Sequence, residues 1–398
     1  VVLLAPVRAW VVEQSWASTV VGYAYDGLRP EQRRQVADSN PDSFFNVVRS
    51  VNDYGDDPVP EDLQAANARS LQRLLRGGRY VSSGRRALYL YRLRSAGHEQ
   101  IAVVGDVPVA AFLNGEVRAH ERTREAKELE LARHLSDVRM SSSPVGLTYR
   151  GEALVDELVE KGSAGPPLVD FTSSDGVRQA VWELSAPVAR EVIQAFTRVA
   201  AAYIVDGHHR VAAAARVGDE HFLAGLVPAN QLNLAAYHRV VAGPLPVEPA
   251  EVVDRLAARP SDEPVLAPGR GQVGLYLAGR WYRAGLQLPD QDTLDVEAAA
   301  AQVLGPLAGV TDPRVDPRLD FVPGTASAAL IQQLADRREG LALTLHPPSV
   351  NQLLAEADAG RTLPPKSTWF EPKLHSGVFV VQRGPLMQPT AGAQASEG

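Results

Sequence analysis

Residues 201–218 read AAYIVDGHHRVAAAARVG. Ala201–Val205 is a short apolar run of the kind that forms a buried strand. Asp206-Gly207 is a turn signal. The alanine-rich stretch from His208 to Val217 has helix-forming composition and meets a natural stop at Gly218. This is a strand, a glycine turn and a helix in immediate succession. The turn also carries chemistry. Backbone N–H groups in the first turn of a helix have no partner within the helix, and the helix dipole is positive there, so anions are favoured. Arg210 adds a planar fork suited to phosphate. His208 and His209 can donate hydrogen bonds to phosphate oxygens, and Asp206 can hold a hydrated Mg²⁺ or a ligand hydroxyl. A solvated polar tip is the plainer alternative. Five consecutive polar or glycine positions at this junction favour the anion site.

Outward from this segment the elements continue to alternate. VWELSAPVAREVIQAFTRVA before it reads mostly as helix, and FLAGLVPAN after it as a strand. Earlier, EDLQAANARSLQRLLRGG reads as a helix, Ala87–Leu93 and Ile101–Val104 as strands, and Arg124–Asp137 as a helix. Asn114-Gly115 in AAFLNGEVRAHE predicts a hairpin. Later, GQVGLYLAGRWYRAGL predicts a strand pair, ALIQQLADRREG and SVNQLLAEADAG predict helices, and LALTL predicts a strand. Such alternation predicts an α/β (mixed α+β) fold. The expected borders are an N-terminal α+β segment 1–99, a core 100–243, a Pro-, Gly- and acid-rich linker 244–275, a C-terminal α+β segment 276–383 and a disordered tail 384–398.

Composition narrows the function. The chain has 398 residues, 45% hydrophobic and 22% charged, which is an ordinary globular balance. Its 40 Lys+Arg against 47 Asp+Glu give a net charge of −7, so there is no chain-wide basic footprint for nucleic acid. The absence of cysteine excludes thiol nucleophiles, disulfides and Cys-ligated metal centres, and it fits a cytoplasmic setting. No apolar run approaches the ~18 residues of a membrane helix. VVLLAPVRAWVV lacks a basic leader region and is interrupted by Pro6 and Arg8, so it does not read as a signal peptide.

Three further segments are candidates. In His120-Glu121-Arg122-Thr123, Glu121 can act as a general base, though a solvated helix start capped by Thr123 is the plainer reading. Glu125, Glu128 and Glu130 read as a solvated helix face. Pro364–Lys373 (PPKSTWFEPK) reads first as an irregular surface segment, and its composition keeps Lys366, Ser367 and Thr368 as a ligand-loop candidate without the glycines of a phosphate loop. His238-Arg239 after a strand is a further candidate, though such a single pair reads first as structural or solvated. G-x-x-x-x-G-K-[ST], H-E-x-x-H, G-x-S-x-G and G-x-G-x-x-G are all absent.

In this order, Arg118-Ala119-His120-Glu121-Arg122-Thr123, Val205-Asp206-Gly207-His208-His209-Arg210, His238-Arg239 and Pro364–Lys373 resemble the domain-of-unknown-function family numbered 1015. Tyr25-Asp26 and Asn40–Phe44 match its opening more loosely. Ala119 stands where the family usually has Pro, and Val211–Ala214 where it often has aromatic and polar residues. The paired His-Glu and Asp-Gly-x-His-Arg segments also resemble the ParB/sulfiredoxin-like superfamily. A sulfiredoxin needs a Cys and a partitioning protein needs a basic DNA-binding module; the free serine kinases, which pair a His-Glu segment with an Asp-Gly-x-His-Arg phosphate loop, are the members the chain resembles best. The resemblance implies a ParB/sulfiredoxin-like core and phosphoryl transfer from ATP or ADP, with Mg²⁺, to free L-serine or a similar hydroxylated metabolite. The alternative is a non-catalytic nucleotide-binding regulatory or scaffold protein. The implied roles are Glu121 as base, with His120 and Thr123 orienting it or touching the donor. Gly207, His208, His209 and Arg210 would cradle phosphates, and Asp206 would hold metal. Lys366, Ser367 and Thr368 would close on phosphate or substrate, and His238 and Arg239 would contact the acceptor. Partners are the nucleotide and a small substrate, without nucleic acid or membrane, and a homodimer is the assembly to test.

Overall fold

The computed structural model describes residues 3–95 and 97–384, so the expected tail lies, apart from Gly384, outside the described residues. The chain is mixed α/β and divides into two compact units. Within the described residues, the first comprises 3–95, 97–118, 123–231 and 372–384. The second comprises 119–122 and 232–371.

The first unit is organised by an eight-stranded mixed sheet. Across it the strands run Val117–Arg118, Ala202–Asp206, Val145–Tyr149, His221–Pro228, His98–Pro108, Tyr89–Ser95, Arg178–Glu183 and Val169–Thr172. The fully buried Val145–Tyr149 pairs parallel with His221–Pro228 and antiparallel with Ala202–Asp206. Its mostly apolar and aromatic character follows from cover on both faces, and its one hydroxyl, on Thr148, is satisfied by the Val227 carbonyl at 2.8 Å. The pairing register slips between Ile204 and Asp206, so Val205 is a bulge that re-aims the residue after it. Helix His208–Val217 buries Val211, Ala213 and Ala214, and its small side chains let it lie close to helix Glu125–Val138. A second sheet interleaves distant segments, with Phe379–Gln382 between Ala9–Val12 and Met140–Ser141, and Tyr80–Val81 on the outer side of Ala9–Val12.

The second unit is built on a six-stranded antiparallel sheet in the order Arg259–Ser261, Arg280–Gly285, Gln272–Leu277, Leu341–Leu345, His238–Val241, Leu319–Val322. Helix Ala328–Arg337 packs Ile331 and Ala335 onto Val240, Tyr276 and Ala342 of this sheet. A separate ribbon pairs Asn233–Ala235 with Trp369–Glu371.

Two local expectations differ from the structure. Val109–Leu113 is a helix, and Asn114-Gly115 ends it rather than turning a hairpin. Gly115 takes φ 79°, and its N–H and that of Glu116 return to Phe112 and Ala111, so the dipeptide serves as a left-handed helix stop. Residues 244–275 are not an unstructured connection. They supply helix Pro249–Arg255, edge strand Arg259–Ser261 and the start of strand Gln272–Leu277. Pro260 is tolerated because that strand is the sheet edge.

Candidate functional site

In the first unit, the bulge at Val205 delivers Asp206 to the end of its strand, and Gly207 then opens helix His208–Val217. Gly207 has φ 94°, a left-handed conformation that side-chain-bearing residues enter only at a cost. Its missing side chain has a second effect. A Cβ built there would lie 2.7 Å from Arg210 Nε and 2.8 Å from Nη2, so the guanidinium lies directly over the glycine. From that position Arg210 donates to Asp206 through Nη2 and to the Pro144 carbonyl, 3.2 Å away, through Nη1. The other Asp206 oxygen accepts from Lys373 Nζ at 2.7 Å. One carboxylate thus gathers two cations at the mouth of a helix. Arg210 and Asp206 are about a quarter exposed, and the Lys373 side chain is 9% exposed.

The neighbouring contacts lock this corner to helix Glu125–Val138. The backbone N–H of Arg124 donates to His209 Nε2 at 3.0 Å, which makes that nitrogen an acceptor. Thr123 Oγ1 donates to Glu128, which also accepts from Arg216 at 2.9 Å. The Thr123 hydrogen bond and Arg216 hold the Glu128 carboxyl below its usual range. Glu128 is therefore an ion-paired strut between two helices, where the sequence suggests only a solvated face.

Asp206 is poorly disposed as a metal ligand. Both oxygens receive cationic donors, and among the described residues no group of three or more His, Asp or Glu side chains is placed to hold a metal ion. Mg²⁺ usually keeps one or two carboxylates and substrate phosphates as its partners. Here ammonium and guanidinium charge already occupies the single carboxylate.

The second unit gathers the remaining candidates. His120 is buried, its Nε2 lies 3.5 Å from Thr368 Oγ1, and its carbonyl accepts from Leu363 N–H at 2.8 Å. Glu121 is half-buried in the bend that follows. Lys366 has φ 54°, left-handed for a residue with a side chain, which costs roughly 1–2 kcal/mol. The Arg239 guanidinium, itself 2% exposed, donates to the carbonyls of Tyr237, Lys366 (3.0 Å) and Pro365 (3.3 Å). Burial draws Arg239 down to about 9, which leaves it cationic at neutral pH. Lys366 Nζ lies 5.0 Å from the Tyr237 ring centre and 3.3 Å from its hydroxyl. Ser367 is buried and donates to the Pro364 carbonyl at 2.6 Å. Burial, then the charge of Arg239, pulls His238 down to about 4, so it is neutral at pH 7.

The predicted residues therefore fall into two groups. Thr123 and Asp206–Arg210 lie in the first unit. His120, Glu121, His238, Arg239 and Lys366–Thr368 lie in the second. Sequence reasoning missed the part played by Lys373. It ends the PPKSTWFEPK segment but belongs to the first unit, as the partner of Asp206. Among the described residues no helix is long and apolar enough to cross a membrane.

The family model described as "Protein of unknown function (DUF1015)" matches residues 4–303. No curated protein matches the chain. Among solved structures, the chain is similar to C-terminally truncated SbnI from Staphylococcus aureus, at 12% identity over 72% of this chain and 90% of that one, with a TM-score of 0.41. It is also similar to a free serine kinase variant in complex with ADP, at 12% identity over 67% and 87%, TM-score 0.37. A conserved hypothetical protein from Pyrococcus furiosus is similar at 10% identity over 69% and 93%, TM-score 0.35.

Proposed function

Because the chain belongs to the family described as Protein of unknown function (DUF1015), and because of the corner it carries at Asp206–Arg210, we propose that it is a nucleotide-dependent small-molecule kinase. Its donor is ATP or ADP, and its acceptor is the hydroxyl of free L-serine or a similar hydroxylated metabolite. Phosphoryl transfer asks a protein mainly for positioning and for charge beside the phosphoryl oxygens. The observation that carries this reading is the left-handed Gly207 turn with Arg210 folded over it and Lys373 beside it. The two cations are already held at the start of a helix, so a phosphate group meets them without ordering either side chain afresh. Phosphate oxygens replace Asp206 as the partner of Arg210 and Lys373. His208 and His209 flank them on the first turn of the helix.

In this scheme Glu121 takes the proton from the acceptor hydroxyl. The acceptor oxygen bonds to the terminal phosphorus, and the bond from that phosphorus to the nucleotide oxygen breaks. Arg239 shapes the loop that carries Lys366, while Lys366 and Thr368 serve phosphate or substrate. The test is nucleotide-product release across a panel of hydroxylated amino acids, with Glu121→Gln alongside. Glu121→Gln keeps nucleotide affinity and loses turnover by about 10²–10⁴-fold, the usual worth of a general base. Turnover at the wild-type rate in that variant refutes the role of Glu121. Tight nucleotide binding with no product from any acceptor favours a non-catalytic regulator.

A further inference from the structure

His375 follows Lys373 by two residues and is 1% exposed. Its Nδ1 lies 2.9 Å from the Lys373 carbonyl oxygen, and its Nε2 lies 2.8 Å from Asp175 Oδ2. A carbonyl oxygen only accepts, so Nδ1 donates to Lys373 while Nε2 faces the Asp175 carboxylate, and the ring bridges the two groups. Asp175 is ionised. Burial pushes its carboxyl up, but the hydrogen bond and charge of His375 and the hydroxyl of Ser173 outweigh burial and hold it at about 2.

The pair sits in a closed network. Ser173 Oγ donates to Asp175 Oδ1 at 2.6 Å and accepts from Gln179 Nε2 at 2.7 Å. Gln179 accepts from the Tyr91 hydroxyl, which in turn accepts from the His375 backbone N–H at 3.4 Å. On the other side of Lys373, the Pro372 carbonyl accepts from Gln100 Nε2 at 2.8 Å. The Lys373 backbone is thus pinned on both flanks, and its side chain ends 2.7 Å from Asp206. A buried polar pair is weak evidence for stability, because desolvation offsets much of its attraction. What this pair does supply is a fixed direction for the carbonyl of one lysine.

We propose that His375 is a positioning residue: its imidazole ring, anchored by Asp175, grips the Lys373 carbonyl and so aims the Lys373 ammonium into the Asp206–Arg210 corner. Its consequence for nucleotide rests on the function proposed above, whereas the aiming of Lys373 does not.

Two readouts separate these claims. The first is acylation of lysine amines in the full chain without nucleotide, quantified by peptide mass spectrometry, with Lys127 and Lys161 as internal references. In His375→Ala, labelling of Lys373 rises severalfold while the references stay at wild-type rates. Asp175→Asn shows the same direction and serves if the first variant fails to fold. The second is a double-mutant cycle on ADP affinity. His375→Ala weakens ADP binding roughly tenfold, the worth of one charge-assisted contact, but has no further effect in a Lys373→Met background. Unchanged labelling of Lys373, a rise at all three lysines, or additive losses in the cycle overturns the proposal. If the wild-type protein binds no ADP, the kinase reading falls, and the labelling result alone decides the positioning role.

Discussion

Replacing Gly207 by alanine tests the corner most directly, because the structure supplies a matched control in the same helix. Gly207 opens helix His208–Val217 at φ 94°, and Gly218 closes it at φ 76°. Alanine at either position must adopt a left-handed conformation, which costs roughly 1–2 kcal/mol. At Gly218 a Cβ meets no atom within 4 Å. At Gly207 it lands 2.7 Å from Nε, 2.8 Å from Nη2 and 3.0 Å from Cζ of Arg210. The guanidinium must leave, and its bonds to Asp206 and the Pro144 carbonyl go with it. Both variants therefore lose roughly 1–2 kcal/mol in urea unfolding. The lost Arg210 bonds add little more, since the pair is partly solvated. Their effect on ligand differs. Gly207→Ala weakens nucleotide binding by about tenfold or more, equivalent to at least ~1.4 kcal/mol, because Arg210 is no longer pre-aimed. Gly218→Ala binds as wild type. Calorimetric titration with ADP checks this. Equal affinities in the two variants would refute the claim that the bare glycine exists to seat Arg210.

Other outcomes follow from the same contacts. The Asp175 carboxyl is held near 2 against an ordinary 3.8, so its bonds to His375 and Ser173 contribute stability above about pH 4 that fades as pH falls toward 2. Discounted for solvent, this contribution is of order 1 kcal/mol. The stability gap between wild type and Asp175→Asn should shrink on acidification, and a gap that is flat from pH 6 to pH 2 contradicts it. Arg239→Met takes the Arg239 donor from a buried carbonyl at Tyr237 and from part-buried ones at Pro365 and Lys366. It should destabilise the protein by about 1–3 kcal/mol and speed proteolysis near Lys366, and an unchanged unfolding curve with wild-type cleavage argues against the clamp.

The strand–turn–helix at 201–218 was legible because each part has its own local signature: an apolar run, a glycine that must bend, and an alanine-rich stretch with a terminal glycine. Asn114-Gly115 misled because a left-handed dipeptide serves a hairpin and a helix stop equally well. Only the neighbouring backbone bonds tell the two apart. The 244–275 stretch misled because proline and acidic residues also suit an edge strand and a helix start. The site was half legible. Arg210 over Gly207 is a relation between residues three apart, whereas Lys373 reaches Asp206 across 167 positions and His375 reaches Asp175 across 200. No periodicity encodes such pairings, although Lys373 stood in the PPKSTWFEPK segment already singled out for its composition.

Phe379–Gln382 lies between Ala9–Val12 and Met140–Ser141, and residues 232–371 of the other unit are synthesised before it. A ribosome therefore releases the first unit's opening strands long before the one that joins them. Phe379–Gln382 pairs with both Ala9–Val12 and Met140–Ser141, so each of those strands finds this edge partner only once translation has passed residue 382. Lys373 and His375 emerge in the same final stretch. A chain that stops before residue 373 would therefore lack both the strand that joins this sheet and the second cation of the Asp206 corner.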